Sequence, residues 1–203
     1  IQKDRFAERA GWHERLVTVD EDAGALSFAV SPVAISETLQ SILPLGQDNA
    51  KTDDLLESCA AAHLLLDQIK IRFEGYAGRA LFIDYGPETT EFGDSLQALK
   101  RHEKVGVFSD PGNTDLTARV DFQALTEFAK SIDLPVTGTV PQSEFLSRLG
   151  LEIRAVTLAR NQPEARPKLA RQMERLTGPD QMGHLFKAIC FQSSQLGLPF
   201  GFR

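Results

Sequence analysis

Between residues 53 and 73 the apolar positions Leu55, Leu56, Cys59, Ala62, Leu66, Ile69 and Phe73 recur at three- and four-residue steps. That period predicts one amphipathic helix, and Gly75 and Gly78 supply its stop. Residues 79–85 then read as a strand, apolar on both faces as in a covered parallel sheet. Upstream, WHERLVTV (12–19) and LSFAV (26–30) are strand-like and flank EDAGA, so a hairpin is expected. Residues 31–52 carry Pro32, Pro44 and Gly46 and read as loop, with a short helix within 36–43. Downstream, Asp121 reads as the N-cap of a helix with Phe122, Leu125, Ala129 and Ile132 on one face, and Pro135 stops it. A short strand over 136–140 and a helix over 143–149 closed by Gly150 follow. Residues 151–158 (LEIRAVTL) alternate and predict a strand. A basic amphipathic helix over 164–176 places Pro167 in its first turn, 184–192 is a final strand, and LGLPFGFR is loop. Helices alternating with strands imply an α/β sheet.

The stretch from Ala80 to Phe122 carries the candidate chemistry. An apolar run ends in Asp84-Tyr85-Gly86, and the polar segment after it holds Asp94, His102, Asp110, Asp115 and Asp121. A buried strand that delivers acids and a histidine to a long loop is how an open α/β sheet builds a site at its carboxyl edge. The same residue types also mark solvated turns, and Asp115 and Asp121 fit turn and cap roles as well.

At 203 residues the chain holds one domain with a real core, or two small ones. A net charge of -6 argues against a nucleic-acid binder, which needs a basic face. Cys59 and Cys190 stand far apart in apolar runs and read as small buried hydrophobes. No apolar run approaches the length of a membrane span. The opening IQKDRFAERAGW, without an initiator, reads as sequence from inside a longer protein.

No phosphate-binding loop and no G-x-G-x-x-G turn is present, so a nucleotide-type cofactor lacks its usual glycine cradle. His13, His63, His102 and His184 have no partners at metal spacing. Gly93-Asp94-Ser95-Leu96 spells the signature of GDSL-type esterases, with Ser95 as nucleophile. Such a serine needs a base and an orienting acid. The nearest D-x-x-H match, Asp180 to His184, is one residue too long.

The order Asp84-Tyr85-Gly86, Gly93-Asp94-Ser95-Leu96, His102, Pro111-Gly112, Asp115-Leu116-Thr117-Ala118 and Val120-Asp121-Phe122 resembles the MidA family of class I S-adenosylmethionine-dependent methyltransferases. These are protein-arginine methyltransferases known in mitochondria as complex I assembly factors, with bacterial relatives. Gly11 to Leu16, Leu26-Ser27-Phe28, Ser31-Pro32, Phe145-Leu146, Gly150-Leu151 and Met182-Gly183 extend the resemblance over nearly the whole chain. It implies a Rossmann-like class I methyltransferase sheet of α/β class. Residues 1–203 would be the C-terminal portion of one methyltransferase domain, with a hairpin and loop insertion over 1–52 and later core elements over 53–203. The family's N-terminal cofactor-binding part, with its glycine-rich turn, would be absent. S-adenosylmethionine would then be bound mainly by residues outside this chain.

The implied substrate is an arginine-bearing protein of the NADH dehydrogenase (complex I) subunit type. The implied compartment is bacterial cytoplasm or mitochondrial matrix. Carboxylates grip a guanidinium by paired hydrogen bonds. Asp84, Tyr85, Asp94 and His102 are therefore expected on the substrate side, with Asp115 and Thr117 as weaker members. His102 suits proton transfer, and Tyr85 offers an aromatic face to a cation. A non-catalytic assembly module is the alternative. A sheet cut in this way should expose an edge and an apolar face, covered by the missing part, a partner or self-association.

Overall fold

The computed structural model describes residues 1–4, 11–22, 24–41, 43–44 and 49–203. The chain forms two compact units, 1–59 with 90–119, and 60–89 with 120–203. Segment 90–119 thus belongs with the hairpin residues.

In the first unit, β1 (Gln2–Asp4), β2 (Gly11–Asp20) and β3 (Ala25–Ala34) form an antiparallel sheet in that order. The expected hairpin is β2–β3, with an irregularity in register between His13 and Arg15. The expected short helix is α1 (Glu37–Gln40), whose N-cap Ser36 accepts the Leu39 N–H. Gly46 lies outside the described residues. Trp12, Ile35, Ala50 and Leu56 form this unit's core.

The helix expected from residue 53 begins only at Ala60: α2 spans Ala60–Gly75. Asp53 adopts a left-handed φ of 69°. The Leu56 N–H donates to the Ile1 carbonyl, and the Leu55 carbonyl accepts the Gly93 N–H. Those backbone groups take tertiary partners, so no i→i−4 ladder forms over 53–59.

The segment expected as one long loop contains a second antiparallel sheet, β5 (Gln97–Lys100), β6 (Glu103–Val105) and β7 (Asp115–Thr117), in the order β6-β5-β7. Its β5–β6 turn is Arg101-His102, both at positive φ (52° and 68°). Tight hairpins need that left-handed pair, and Asn-Gly usually provides it. Without that signal the turn is silent in the sequence.

In the second unit, β4 (Arg79–Tyr85), β8 (Val140–Pro141) and β9 (Phe186–Gln192) form a sheet in the order β4-β9-β8. The α/β class holds for this unit. The parallel sheet does not, because β9 runs antiparallel to both neighbours. β4 and β8 are parallel to each other only across it. β9 is buried from Lys187 to Gln192, as a central strand should be. Ile189 and Phe191 pack against Leu66 of α2 and against Phe122 and Ala129 of α3 (Phe122–Ser131). Asp121 caps α3 by accepting the Ala124 N–H at 2.8 Å. Residues 136–140 yield only an isolated bridge at Val136 before β8.

Helix α4 (Gln142–Arg148) ends before Gly150, whose φ of 81° suits glycine. The chain then restarts as α5 (Leu151–Asn161), where alternation had predicted a strand. The partly buried positions are Leu151, Ala155, Leu158 and Ala159, a helical spacing, while Ile153 and Val156 face solvent. A 3₁₀ turn (Pro163–Ala165), α6 (Arg166–Thr177) with Pro167 in its first turn, and α7 (Met182–Leu185) lead into β9.

Candidate functional site

Asp84 and Tyr85 close β4 in the second unit. Asp84 is exposed, and one carboxylate oxygen accepts the Tyr85 N–H at 2.8 Å. The Tyr85 ring lies against Phe186, with centroids 5.8 Å apart. Its carbonyl accepts the Val120 N–H at 3.0 Å. Lys187, opposite Asp84 in the ladder, is buried. Its ammonium donates to the carbonyls of Gly86 (3.2 Å) and His184, tying the end of β4 to α7. The signal for Lys187 was present in the sequence: a lysine inside the apolar run FKAICF.

A cofactor phosphate or carboxylate would need open backbone N–H groups beside a close-approach glycine at such a strand end. Gly86 does not fit that need. Its N–H is bonded to the Leu185 carbonyl, and a Cβ there would lie 2.0 Å from the Val120 carbonyl oxygen. The strand end is closed by the chain's own backbone. A cavity of about 310 Å³ lies at the opposite end of β4, lined by Ile69, Phe73, Tyr76 and Arg79 among others. The Arg79 guanidinium there is already bonded to Gln192 and the Gly197 carbonyl.

The other four residues lie in the first unit. Asp94 uses both oxygens: Oδ2 pairs with Arg15 at 2.6 Å, and Oδ1 accepts the Leu96 N–H at 3.1 Å. Arg15 also lies 3.6 Å above the Phe28 ring. The chain thus already shows a carboxylate and an aromatic face sharing one guanidinium. His102 is exposed in the β5–β6 turn. Asp115 and Thr117 bound β7 on one face, opposite Leu99 and Gln97. Asp110 pairs with Lys100, whose hydrogen bond, helped by Asn113, lowers its pKa.

Ser95 departs most from its sequence expectation. It is only 6% exposed, and its hydroxyl donates to the Glu57 carboxylate while accepting the Arg119 N–H at 2.9 Å. Glu57 also accepts the Ser95 N–H at 3.0 Å. No histidine stands within this network, so the serine–histidine–acid arrangement of such an esterase is absent from it. The GDSL-type reading finds no support: Ser95 and Glu57 latch two segments of the unit together. Nothing in the sequence marks Glu57 for that role. Among the described residues no cluster of metal-ligating side chains occurs, and no helix is long and apolar enough to cross a membrane.

Residues 3–140 match a family described as S-adenosyl-L-methionine-dependent methyltransferases. Among curated proteins, the mitochondrial protein arginine methyltransferase NDUFAF7 of Danio rerio is 34% identical over 181 residues, covering 87% of this chain and 41% of that protein. Its human counterpart is 29% identical over 179 residues, covering 87% and 39%. Among solved structures, a native crystal structure of a Burkholderia thailandensis protein superposes with a TM-score of 0.82 at 28% identity, covering 99% of this chain and 53% of that one. A Burkholderia thailandensis structure bound to S-adenosyl-homocysteine gives 0.81, 28%, 99% and 51%. The chain therefore spans about 40% of the curated relatives' length and about half of the solved chains.

Proposed function

The chain belongs to the MidA-like family of S-adenosylmethionine-dependent methyltransferases, and we propose that the protein methylates arginine on another protein. The observation that carries this reading is the 34% identity, across 87% of the chain, to a protein named as an arginine methyltransferase. The acceptor is of the NADH dehydrogenase (complex I) subunit type. The compartment is the mitochondrial matrix in a eukaryote, where the relatives' names support a mitochondrial location, or the cytoplasm in a bacterium.

S-adenosylmethionine supplies the methyl group, and it is held mainly by residues outside these 203. The closed backbone at Gly86 and the chain's partial coverage of its relatives support that division. This chain's own residues handle the acceptor. Asp84 presents an exposed carboxylate at the end of β4, a group suited to gripping a guanidinium, and the adjacent Tyr85 offers an aromatic ring. Asp94, His102, Asp115 and Thr117 are proposed as further acceptor-side residues in the first unit, His102 to carry the proton. Asp94 takes an acceptor guanidinium only by exchange with Arg15. β4 has no partner on its outer edge among the described residues, and Leu81 (49%) and Ile83 (42%) are exposed on it. Further polypeptide, of this protein or a partner, covers that edge in this reading.

The test is isotope-labelled methyl transfer by the full-length protein onto hypomethylated complex I subunits, followed by identification of the modified residue. Label on arginine is expected. Asp94→Ala and His102→Ala should each lower turnover while donor affinity stays near wild type. No arginine label from the intact protein would end the reading. Wild-type turnover in both variants would remove those two residues from it.

A further inference from the structure

Beyond His13, where its pairing with β1 ends, the β2–β3 hairpin continues as a two-stranded ribbon whose two halves differ. Register places Arg15 opposite Val30, Val17 opposite Phe28, and Val19 opposite Leu26. Alternation puts these six side chains on one face. The inner half of that face is covered: Arg15 lies over Phe28 and bonds Asp94, and Phe28 packs on Phe108 with centroids 4.7 Å apart. The outer half is bare. Val17 is 58% exposed, Val19 56% and Leu26 37%. An isolated two-stranded ribbon is marginal in water, and a contiguous apolar face on its outer half marks a docking surface.

Charge indicates what docks. The unit that carries this ribbon has nine Lys and Arg against sixteen Asp and Glu, a net -7. The other unit has thirteen against twelve. All of the chain's net negative charge is thus on the ribbon's unit, and the ribbon ends in Asp20-Glu21-Asp22. The Asp20 carboxylate accepts the Asp22 N–H and shapes that turn, while Glu21 and Asp22 face solvent. A second copy laid ribbon on ribbon would bring acid against acid. A cationic polypeptide with aliphatic side chains satisfies both the apolar face and the field.

We propose that the Val17, Val19 and Leu26 face of the β2–β3 ribbon docks an arginine-bearing segment of the protein substrate. The inference rests on the arginine-methyltransferase reading and gives it a recognition surface apart from the acceptor-side residues. The apolar face supplies area, and the acidic unit supplies selectivity and on-rate.

Binding is measured on the full-length protein without methyl donor, so the result does not depend on whether arginine is the methylated residue. The probe is a fluorescent peptide alternating arginine and valine, with a glutamate-for-arginine control. The variant carries Val17→Thr, Val19→Thr and Leu26→Thr, which retain strand propensity. About a tenfold loss of arginine-peptide affinity is expected, with weakening as salt rises. Unchanged affinity in a folded variant, or equal affinity for the glutamate peptide, overturns the proposal. A dimer in the unaltered protein that the triple substitution dissociates gives the face to a second copy and overturns it too. Hydrogen exchange on the unaltered protein needs no variant: the arginine peptide should slow exchange over 15–30. Slowing confined to other segments refutes the docking site.

Discussion

Gly86→Ala should be the most costly small substitution at the end of β4. The added Cβ would sit 2.0 Å from the Val120 carbonyl oxygen, 2.9 Å from its carbon and 3.0 Å from its nitrogen. An ordinary carbon–oxygen approach is about 3.3 Å, so one backbone must move by roughly 1.3 Å. Both are constrained: the Gly86 N–H bonds Leu185, and the Val120 N–H bonds the Tyr85 carbonyl. Overpacking of this kind costs about 1–3 kcal/mol, and loss of the Val120–Tyr85 bond adds about 1 kcal/mol. The sum, about 2–4 kcal/mol, corresponds to a fall in Tm of roughly 5–15 °C for a protein of this size. Gly138→Ala is the control, because a Cβ there meets nothing within 4 Å and its φ is not positive. Calorimetric or urea unfolding of the two variants decides the matter. A Gly86→Ala protein within about 0.5 kcal/mol of wild type would refute the close-approach account.

Ser95→Ala leaves the Arg119 N–H without its acceptor and deprives Glu57 of the hydroxyl bond. A loss of about 1–3 kcal/mol is expected, with hydrolysis of a short-chain ester reporter no different from wild type. Serine-dependent hydrolysis would restore the esterase reading. His63 stacks on Phe128 at 4.1 Å, its Nδ1 is buried without a partner, and burial lowers its pKa against the opposing pull of Asp67. The unfolded state, titrating near 6.5, binds the proton first as pH falls. This group's contribution is therefore full above pH ~6.5 and is lost as pH drops through the lower folded value. Urea unfolding from pH 7.5 down to pH 5 should show a shallower decline for His63→Phe, and parallel profiles would disprove the assignment.

The sequence revealed those elements whose signals are local. Asp121 had to cap, Pro167 had to begin a helix, and the alternating residues on either side of EDAGA had to pair. Elements decided at a distance were hidden. Residues 53–59 carry a helical period, yet Ile1, Gly93 and Ser95 claim their polar groups. LEIRAVTL satisfies both periods, and the partial burial of Leu151, Ala155 and Leu158 follows the helical one. For the candidate residues, sequence located Asp84 and Tyr85 at a strand end. It gave no hint that Arg15 occupies Asp94, since that pair spans 79 positions. Lys187 was visible as an anomaly; Glu57 was not.

The central position of β9 has a consequence for biosynthesis. Its ladder joins Arg79 to Gln192, so β4 leaves the ribosome more than a hundred residues before the strand that pairs with it. At 5–20 residues per second, β4 waits roughly 5–20 s with Leu81, Phe82 and Ile83 unpaired on a nascent chain. During that interval the edge that β9 will take is unshielded, and a holding chaperone on the emerging polypeptide is the natural safeguard against intermolecular strand pairing.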